Sequence, residues 1–264
     1  MPNSASDDCS WFDRPWAAML FFTRLPLWRL HQPPVSAYRS VVEWWPLAGW
    51  LTGGVMAAVL YLGSTVLPYA VAVVLAIVAR MLLTGALHED GLADSCDGFG
   101  GGAGNRERIL AIMKDSHIGT YGVLALLLYV ALLFACLHAL PPSRAALAIL
   151  AADPYAKMLS AQAVQLLPYA RDEQTAKSRV VYRKYSLWGG LLLAVQGLLP
   201  LAFYLWWMGD GGCWEPLVFV PALVQYFLYL YVRRRLGGYT GDCCGALFLL
   251  TELSFYLCCC VGVR

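Results

Sequence analysis

The stretch "VLPYAVAVVLAIVARMLLTGALHEDGLADSCDGFGGGAG", residues 66–104, joins a long apolar run to a cluster of acids and glycines. Its first part, 66–87, has Arg80 as its single charged residue and is long and apolar enough to cross a bilayer. The last part, 85–104, holds four carboxylates, one histidine and seven glycines. The sequence therefore predicts a membrane span that leads into a polar site.

The composition of the whole chain extends this prediction to a polytopic membrane protein. Of the 264 residues, 59% are hydrophobic and 14% are charged, whereas about 25% of residues are charged in soluble domains. Because lipid offers the backbone no hydrogen-bond partners, spans of this kind are α-helical. The sequence contains no repeat, linker or nucleic-acid-binding motif. We therefore expect residues 1–264 to form one all-α integral membrane domain surrounded by lipid, with no nucleic-acid partner.

Seven segments are long and apolar enough to be predicted as transmembrane helices: 44–62, 66–87, 117–138, 145–167, 187–208, 216–232 and 243–262. Two further helices are predicted at the membrane surface. The segment "WFDRPWAAMLFF", 11–22, is too short to span and is rich in aromatic residues, which is typical of an interfacial helix. The segment "RERILAIMKD", 106–115, is short and amphipathic.

Lys and Arg alternate along the connections between the predicted spans. From the N-terminal segment to the C-terminal tail, the counts are four, none, three, one, five, none, three and one. Cytoplasmic loops carry the excess of basic residues in membrane proteins. The acidic cluster and the segment 233–242 are therefore both predicted on the cytoplasmic side.

Three acids of the cluster share one helix face. Asp90, Asp94 and Asp97 are spaced i, i+4 and i+7, so they project in the same direction from a helix. A hard cation such as Mg²⁺, which binds carboxylates together with substrate phosphates, would relieve their repulsion. The nearby glycines, including Gly100 and Gly101, would let backbone N–H groups approach a phosphate. The alternative is a solvated acidic loop at a helix end.

Basic residues and a second polar segment accompany this cluster. Asn105 has the side chain of a helix N-cap. Arg106 and Arg108 follow it and are candidates for contacting a diphosphate, the alternative being solvated helix charges. The segment "RRRLGGYTGD", 233–242, ends in a glycine-rich turn and an aspartate.

Ionisable residues inside predicted spans are functional candidates by default. They are Arg80, Asp153, Lys157 and Glu252. Asp153 and Lys157 are four residues apart on one helix, so we expect them to pair with each other.

Four stretches together resemble a known family: "FFTRLP" (21–26), "HEDGLADSCDG" (88–98), "MKDSHIGTYG" (113–122) and "GGYTGDCCGA" (237–246). In this order and spacing they are similar to the signature stretches of adenosylcobinamide-GDP ribazoletransferase, the cobalamin (5′-phosphate) synthase family. The motif match covers Asp90, Asp94, Asp97, Asp115, Gly241 and Asp242.

The resemblance implies a multi-pass, Mg²⁺-dependent enzyme of the cell inner membrane that acts in the last steps of cobalamin biosynthesis. Such an enzyme joins adenosylcobinamide-GDP to α-ribazole or α-ribazole 5′-phosphate and releases GMP. Asp90, Asp94 and Asp97 would then hold the metal. A phosphoryl transfer of this kind depends on charge neutralisation and alignment more than on covalent help.

The remaining site residues follow from the implied reaction. Asp242, Asp115, His88 and His117 are candidates for the base that accepts the proton of the attacking hydroxyl, and the sequence does not choose among them. Asp242 could instead complete the metal site. Substrate contacts are expected from Gly100, Gly101, Arg106, Arg108 and Gly241.

Two departures and two rival functions accompany the resemblance. Lys157 stands where the family often has Arg, and "ARDEQTAKSR" (170–179), within the segment 168–186, lacks the family's Gly-Leu-Gly. A CDP-alcohol phosphotransferase would need Arg where this chain has Asp94. A transporter is the non-enzyme alternative, but transporters often contain inverted repeats, and the sequence has no repeat halves.

Overall fold

The computed structural model describes residues 9–171, 182–209 and 214–261, and in these ranges the chain is helical with no strand. The predicted all-α architecture is thereby confirmed. Residues 172–181, most of the divergent segment 168–186, lie outside the described residues. In chain order the α-helices are α1 (Asp13–Phe22), α2 (Val35–Tyr38), α3 (Trp45–Gly63), α4 (Tyr69–Thr84), α5 (Leu87–Gly101), α6 (Arg106–Ile112), α7 (Thr120–Ala139), α8 (Pro142–Ser160), α9 (Gln162–Leu166), α10 (Leu187–Met208), α11 (Glu215–Leu236) and α12 (Gly241–Cys260).

Within the described ranges, five helices are long and apolar enough to cross a membrane: Val41–Gly63, Thr120–Ala139, Leu187–Met208, Glu215–Leu236 and Gly241–Cys260. They correspond to five of the predicted spans. A bent pair formed by α4 and α5 makes a sixth if it is taken as one span. The segment predicted over 145–167 forms α8 and α9. It falls outside this set because α8 carries three charged residues. Two of them, Asp153 and Lys157, are buried in a bundle where α8 contacts α3, α10 and α12.

Both predicted surface helices are present. α1 has ten residues, which is too short to cross a bilayer, and its two buried alanines, Ala17 and Ala18, pack against Ala37 and Val41. The interfacial position of α1 stays a prediction. α6 begins as expected, because the Asn105 side chain accepts a 2.9 Å hydrogen bond from the Arg108 amide. The apolar residues of α6 pack beneath α5.

A sharp bend separates the apolar helix α4 from the acidic helix α5. The two helix axes differ in direction by 88°. The turn is made by Gly85 (φ 63°) and Ala86 (φ 55°), both left-handed. Arg24 of the "FFTRLP" stretch packs over this corner, where its amide donates to the Leu83 carbonyl at 2.7 Å. A Cβ added to Gly85 would lie 2.2 Å from the Arg24 side chain, so this position requires glycine.

α12 forms the centre of the bundle, in contact with α5, α7, α8 and α11. Its Glu252 is buried. Arg80 Nη1 on α4 donates to both Glu252 carboxylate oxygens (2.6 and 2.8 Å), and the Tyr256 hydroxyl donates to one of them (2.8 Å). Arg80 also donates to the Tyr129 hydroxyl on α7 at 2.6 Å. These contacts satisfy two buried charges and tie three helices together.

Candidate active site

A cavity of about 160 Å³ lies where the acidic helix α5 meets the first turn of α12. Four of the sequence candidates line it: His88, Asp90, Gly241 and Asp242. Its remaining wall is largely aromatic and also includes Lys157 and Arg171. The structure therefore brings together the second and the last of the signature stretches, 88–98 and 237–246, which are about 150 positions apart in the sequence.

Glycines make this meeting of helices possible. A Cβ added to Gly91 would lie 2.8 Å from the carbonyl oxygen of Asp242, and a Cβ added to Gly245 would lie 3.2 Å from the carbonyl oxygen of His88. Larger side chains would therefore push α5 and α12 apart. Gly91 and Gly245 therefore set the distance between the two polar motifs.

Asp242 forms an ion pair across the cavity. Arg171 Nη2 donates to Asp242 Oδ2 at 3.0 Å, and both side chains are largely buried. Asp90 is exposed and lies on the cavity wall. His88 is buried, with its ring stacked on Phe22 (centroids 5.6 Å apart) and tilted against Phe248 (4.7 Å). The site thus combines two carboxylates, a guanidinium and an imidazole with an apolar wall.

Lys157 approaches the cavity from α8. Its ammonium group pairs with Asp153, which confirms the predicted i, i+4 pair, and lies 3.8 Å from the centroid of the Phe248 ring. Asp153 in turn accepts a 2.7 Å hydrogen bond from Thr52 on α3. The charge of Lys157 is therefore balanced inside the bundle.

Arg106 has a different role from the diphosphate contact that was expected. Its guanidinium donates to two backbone carbonyls, Leu236 at the end of α11 and Ala170, each at 2.8 Å. Ala170 precedes Arg171, and its amide donates to the Tyr239 carbonyl at 2.8 Å. Arg106 therefore fastens the segment that carries Arg171 to the turn before α12.

Asp97 points away from the cavity. Its two carboxylate oxygens accept hydrogen bonds from the amides of Gly119 (2.7 Å) and Gly122 (2.9 Å), at the N-terminus of α7. A Cβ on either glycine would lie within 2.5 Å of the Asp97 carboxylate. This close approach explains why the stretch "HIGTYG" has glycines at these positions, and it gives Asp97 a capping role.

The glycine-rich stretch was expected to offer amides to a phosphate, but it is helical through Gly101, so these amides lie within α5. Gly100 packs against the Tyr121 ring, where a Cβ would lie 2.6 Å from ring carbons, and Gly101 packs against Ile112. Neither lines the cavity, and Arg108 is exposed on α6. The predicted substrate contacts of Gly100, Gly101 and Arg108 therefore stay a prediction.

Asp115 also lies outside the cavity, in the exposed turn before α7. His117 Nδ1 is 2.6 Å from Asp115 Oδ1. This hydrogen bond lowers the pKa of Asp115 and raises the pKa of His117. Of the four candidate bases, His88 and Asp242 line the cavity, whereas Asp115 and His117 do not.

The three aspartates of α5 do not form a ready-made metal site. In the part of the chain that the structure describes, no three His, Cys, Asp or Glu side chains are close enough to hold one ion. Asp94 is half-buried, one turn after Asp90, and Asp97 is engaged with α7. Binding of Mg²⁺ by Asp90 and Asp94, which would need further oxygens from a substrate, stays a prediction.

Comparison with known proteins identifies the family. The family model for cobalamin-5-phosphate synthase matches residues 14–260. The chain belongs to the cobalamin-5-phosphate synthase family. Curated relatives include the adenosylcobinamide-GDP ribazoletransferase of Leptothrix cholodnii, 40% identical over 249 residues, which are 91% of this chain and 92% of the relative. The enzyme of that name from Shewanella frigidimarina is 35% identical over 245 residues, 92% of each chain. No solved structure matches.

Family membership accounts for the motifs, but the sequence alone did not reveal every residue of the cavity. Arg171 was visible as one of five basic residues in a connection and as part of "ARDEQTAKSR", which begins like the family's Ala-Arg stretch. Its partner Asp242 is 71 positions away. Phe248 reads as an ordinary apolar residue of a span. Trp45 opens the stretch "WPLAGWLTGG" (45–54), which resembles a region where the family usually has Phe-Pro-Leu, but nothing in the sequence places its side chain in the cavity.

Proposed function

We propose that the protein transfers the cobinamide phosphate of adenosylcobinamide-GDP to α-ribazole or α-ribazole 5′-phosphate, giving adenosylcobalamin or its 5′-phosphate and GMP. The observation that carries the proposal is the cavity in which Asp90 and Asp242, from two family motifs, meet Arg171. Relatives of this name cover about nine-tenths of the chain. These comparisons favour this function over a CDP-alcohol phosphotransferase or a transporter.

The proposed step is a single phosphoryl transfer. The ribazole 3′-hydroxyl oxygen bonds to the phosphorus attached to cobinamide, the bond from that phosphorus to the GMP phosphate breaks, and the hydroxyl proton passes to a base. Asp242 is the proposed base, because it lines the cavity whereas Asp115 does not; His88 is the alternative. Arg171 would contact the phosphate through its planar guanidinium.

Mg²⁺ is part of this proposal. Asp90 and Asp94 lie one turn apart on α5, an arrangement suited to an ion that takes one or two carboxylates and completes its shell with substrate phosphates and water. When bound, Mg²⁺ would neutralise charge on the diphosphate. Asp97 is left out of this set because both of its oxygens already accept amide hydrogen bonds.

The proposed location is the cell inner membrane, with the cavity on the cytoplasmic side. The spans support a multi-pass membrane protein. The orientation rests on the alternation of basic residues along the connections. A cysteine-accessibility assay on intact cells and on inverted vesicles tests this orientation.

The activity is tested with the full chain in detergent, supplied with adenosylcobinamide-GDP and α-ribazole. We expect GMP release with Mg²⁺ and its loss on chelation. Asp90→Asn and Asp242→Asn should lower turnover at least about 100-fold. Asp90 is exposed, so Asp90→Asn should keep the melting temperature within a few degrees, whereas Asp242→Asn also weakens the buried pair with Arg171 and should lower it. Glu215→Gln, an exposed acid at the start of α11, is the control and should keep full activity. Full turnover by Asp242→Asn would contradict its role as the base.

A further inference from the structure

The wall of the cavity opposite the acids is built from aromatic rings. Phe22 meets Trp45 edge to face with centroids 5.7 Å apart, and Trp45 meets Tyr182 in the same way at 5.6 Å. His88 stacks on Phe22, and Phe248 completes this side. Edge-to-face contacts hold rings in fixed orientations. These five residues, here called the aromatic wall, come from α1, α3, α5, α12 and the segment after 181.

The size of the cavity limits what it can hold. Its volume of about 160 Å³ is smaller than the roughly 300–1,000 Å³ of pockets that enclose drug-sized ligands. A corrin macrocycle is much larger than that and would have to stay outside. A single fused ring system is of suitable size, and aromatic rings are the side chains on which planar bases stack.

One polar group of the aromatic wall has no partner among the described residues. Trp45 is 4% exposed, and in the described part of the chain no hydrogen-bond acceptor lies within reach of its buried indole N–H. At the polar end of the cavity, the Nε–H of Arg171 is also buried and has no acceptor among the described residues. The Arg171 side chain is 6% exposed. Buried donors without acceptors are rare and costly in folded proteins. Both groups are donors, so the missing component is a ligand that brings acceptors.

We propose that the aromatic wall binds the planar base of the acceptor nucleoside, the dimethylbenzimidazole of α-ribazole, with Trp45 Nε1 donating to its bare ring nitrogen. This inference rests on the proposed function. The base has one acceptor nitrogen and two methyl groups, which match a single donor in an apolar wall. Guanine, the other base in the reaction, presents several donors as well as acceptors and would leave these donors unsatisfied against the rings.

The same placement brings the sugar to the reacting groups. Asp242 and Arg171 line the cavity together with the aromatic wall. A nucleoside whose base stacks on the wall therefore has its ribose beside Asp242, the proposed base for the hydroxyl proton. The Arg171 Nε–H then faces the oxygen-rich part of the substrate, either the ribose or the phosphate.

The test compares two tryptophans of the same helix. Trp45→Phe keeps a ring but removes the N–H, so we expect the KM for α-ribazole to rise roughly tenfold, the effect of one neutral hydrogen bond, with the KM for adenosylcobinamide-GDP unchanged. Trp50→Phe is the control, because Trp50 donates to the Gln196 carbonyl at 2.8 Å, outside the cavity. It should change neither KM.

A second measurement uses the unaltered protein and needs no variant to fold. Free 5,6-dimethylbenzimidazole should compete with α-ribazole and not with adenosylcobinamide-GDP, whereas free guanine should compete with neither. A rise in the KM for adenosylcobinamide-GDP alone in Trp45→Phe, or competition by guanine, would overturn the inference in favour of the leaving nucleotide. If the unaltered protein releases no GMP, the proposed function fails. The base-binding proposal is then tested separately by direct binding of α-ribazole, measured by tryptophan fluorescence, and absence of binding would overturn it.

Discussion

Replacing Glu252 by alanine would leave the guanidinium of Arg80 unpaired at the junction of α4, α7 and α12. Both side chains are almost completely enclosed, at 0% and 2% exposure. The carboxylate accepts three hydrogen bonds, two from Arg80 and one from Tyr256, all between 2.6 and 2.8 Å. After the substitution, Arg80 would keep its contact with the Tyr129 hydroxyl, which carries no counter-charge.

The expected cost is large because a buried charge loses its counter-charge. Removing one partner of a buried ion pair costs about 3–5 kcal/mol. At roughly 2–4 °C per kcal/mol for a chain of this size, Glu252→Ala should lower the melting temperature in detergent by about 6–20 °C. Arg80→Met combined with Glu252→Met removes both charges at nearly constant volume and should recover most of that loss.

The assay is thermal unfolding of the purified variants followed by tryptophan fluorescence. Arg14→Ala is the matched control, since Arg14 and Glu43 form a half-exposed pair at 3.8 Å, and such pairs contribute about 0–1 kcal/mol. The reasoning is refuted if Glu252→Ala loses no more stability than Arg14→Ala. It is equally refuted if the double variant is as unstable as the single one.

Three further predictions concern the polar motifs. Gly91→Ala should lower turnover about 100-fold, because the added Cβ would displace the first turn of α12. Gly54 has open space around it, so Gly54→Ala is the control and should keep full turnover in the same assay. Asp97→Ala should lower stability by about 0.5–2 kcal/mol through loss of the α7 cap; lost turnover with unchanged melting would instead favour a metal-binding role. Asp115→Asn should lower the pKa of His117 towards about 6.5, read by NMR titration of the labelled imidazole, because the hydrogen bond with Asp115 raises that pKa. Both members of the Asp115–His117 pair are charged only at pH values below the pKa of His117 and above the pKa of Asp115. An unchanged His117 titration in the variant would contradict the pairing.

The features that the sequence predicted well depend on local spacing. Apolar runs located the five long spans, because hydrophobic length is itself the physical requirement for crossing lipid. Asn105 was identified as a cap, and Asp153 was expected to pair with Lys157, because in both cases the partner lies within one helical turn. The family motifs similarly identified Asp90 and Asp242 before their proximity was known.

The features that the sequence did not reveal depend on distant contacts. The amides that bind Asp97 lie 22 and 25 positions further along the chain, so the regular spacing of the three aspartates suggested one shared ion. Arg106 likewise contacts carbonyls 130 and 64 positions away. A positively charged residue beside a glycine-rich stretch has the same local pattern whether it contacts a phosphate or the backbone.

The corner at Gly85 and Ala86 has a consequence for how the protein sits in membranes of different thickness. Ala86 is held in left-handed geometry, which costs an alanine about 1–2 kcal/mol. Arg24 packs over the adjacent Gly85. Straightening the corner into one continuous helix would therefore break the contacts made by Arg24. Hydrophobic mismatch is normally absorbed by tilting of a span. We therefore expect α4 to change its tilt in a thicker or thinner bilayer while the carboxylates beyond the corner keep their depth relative to the headgroups.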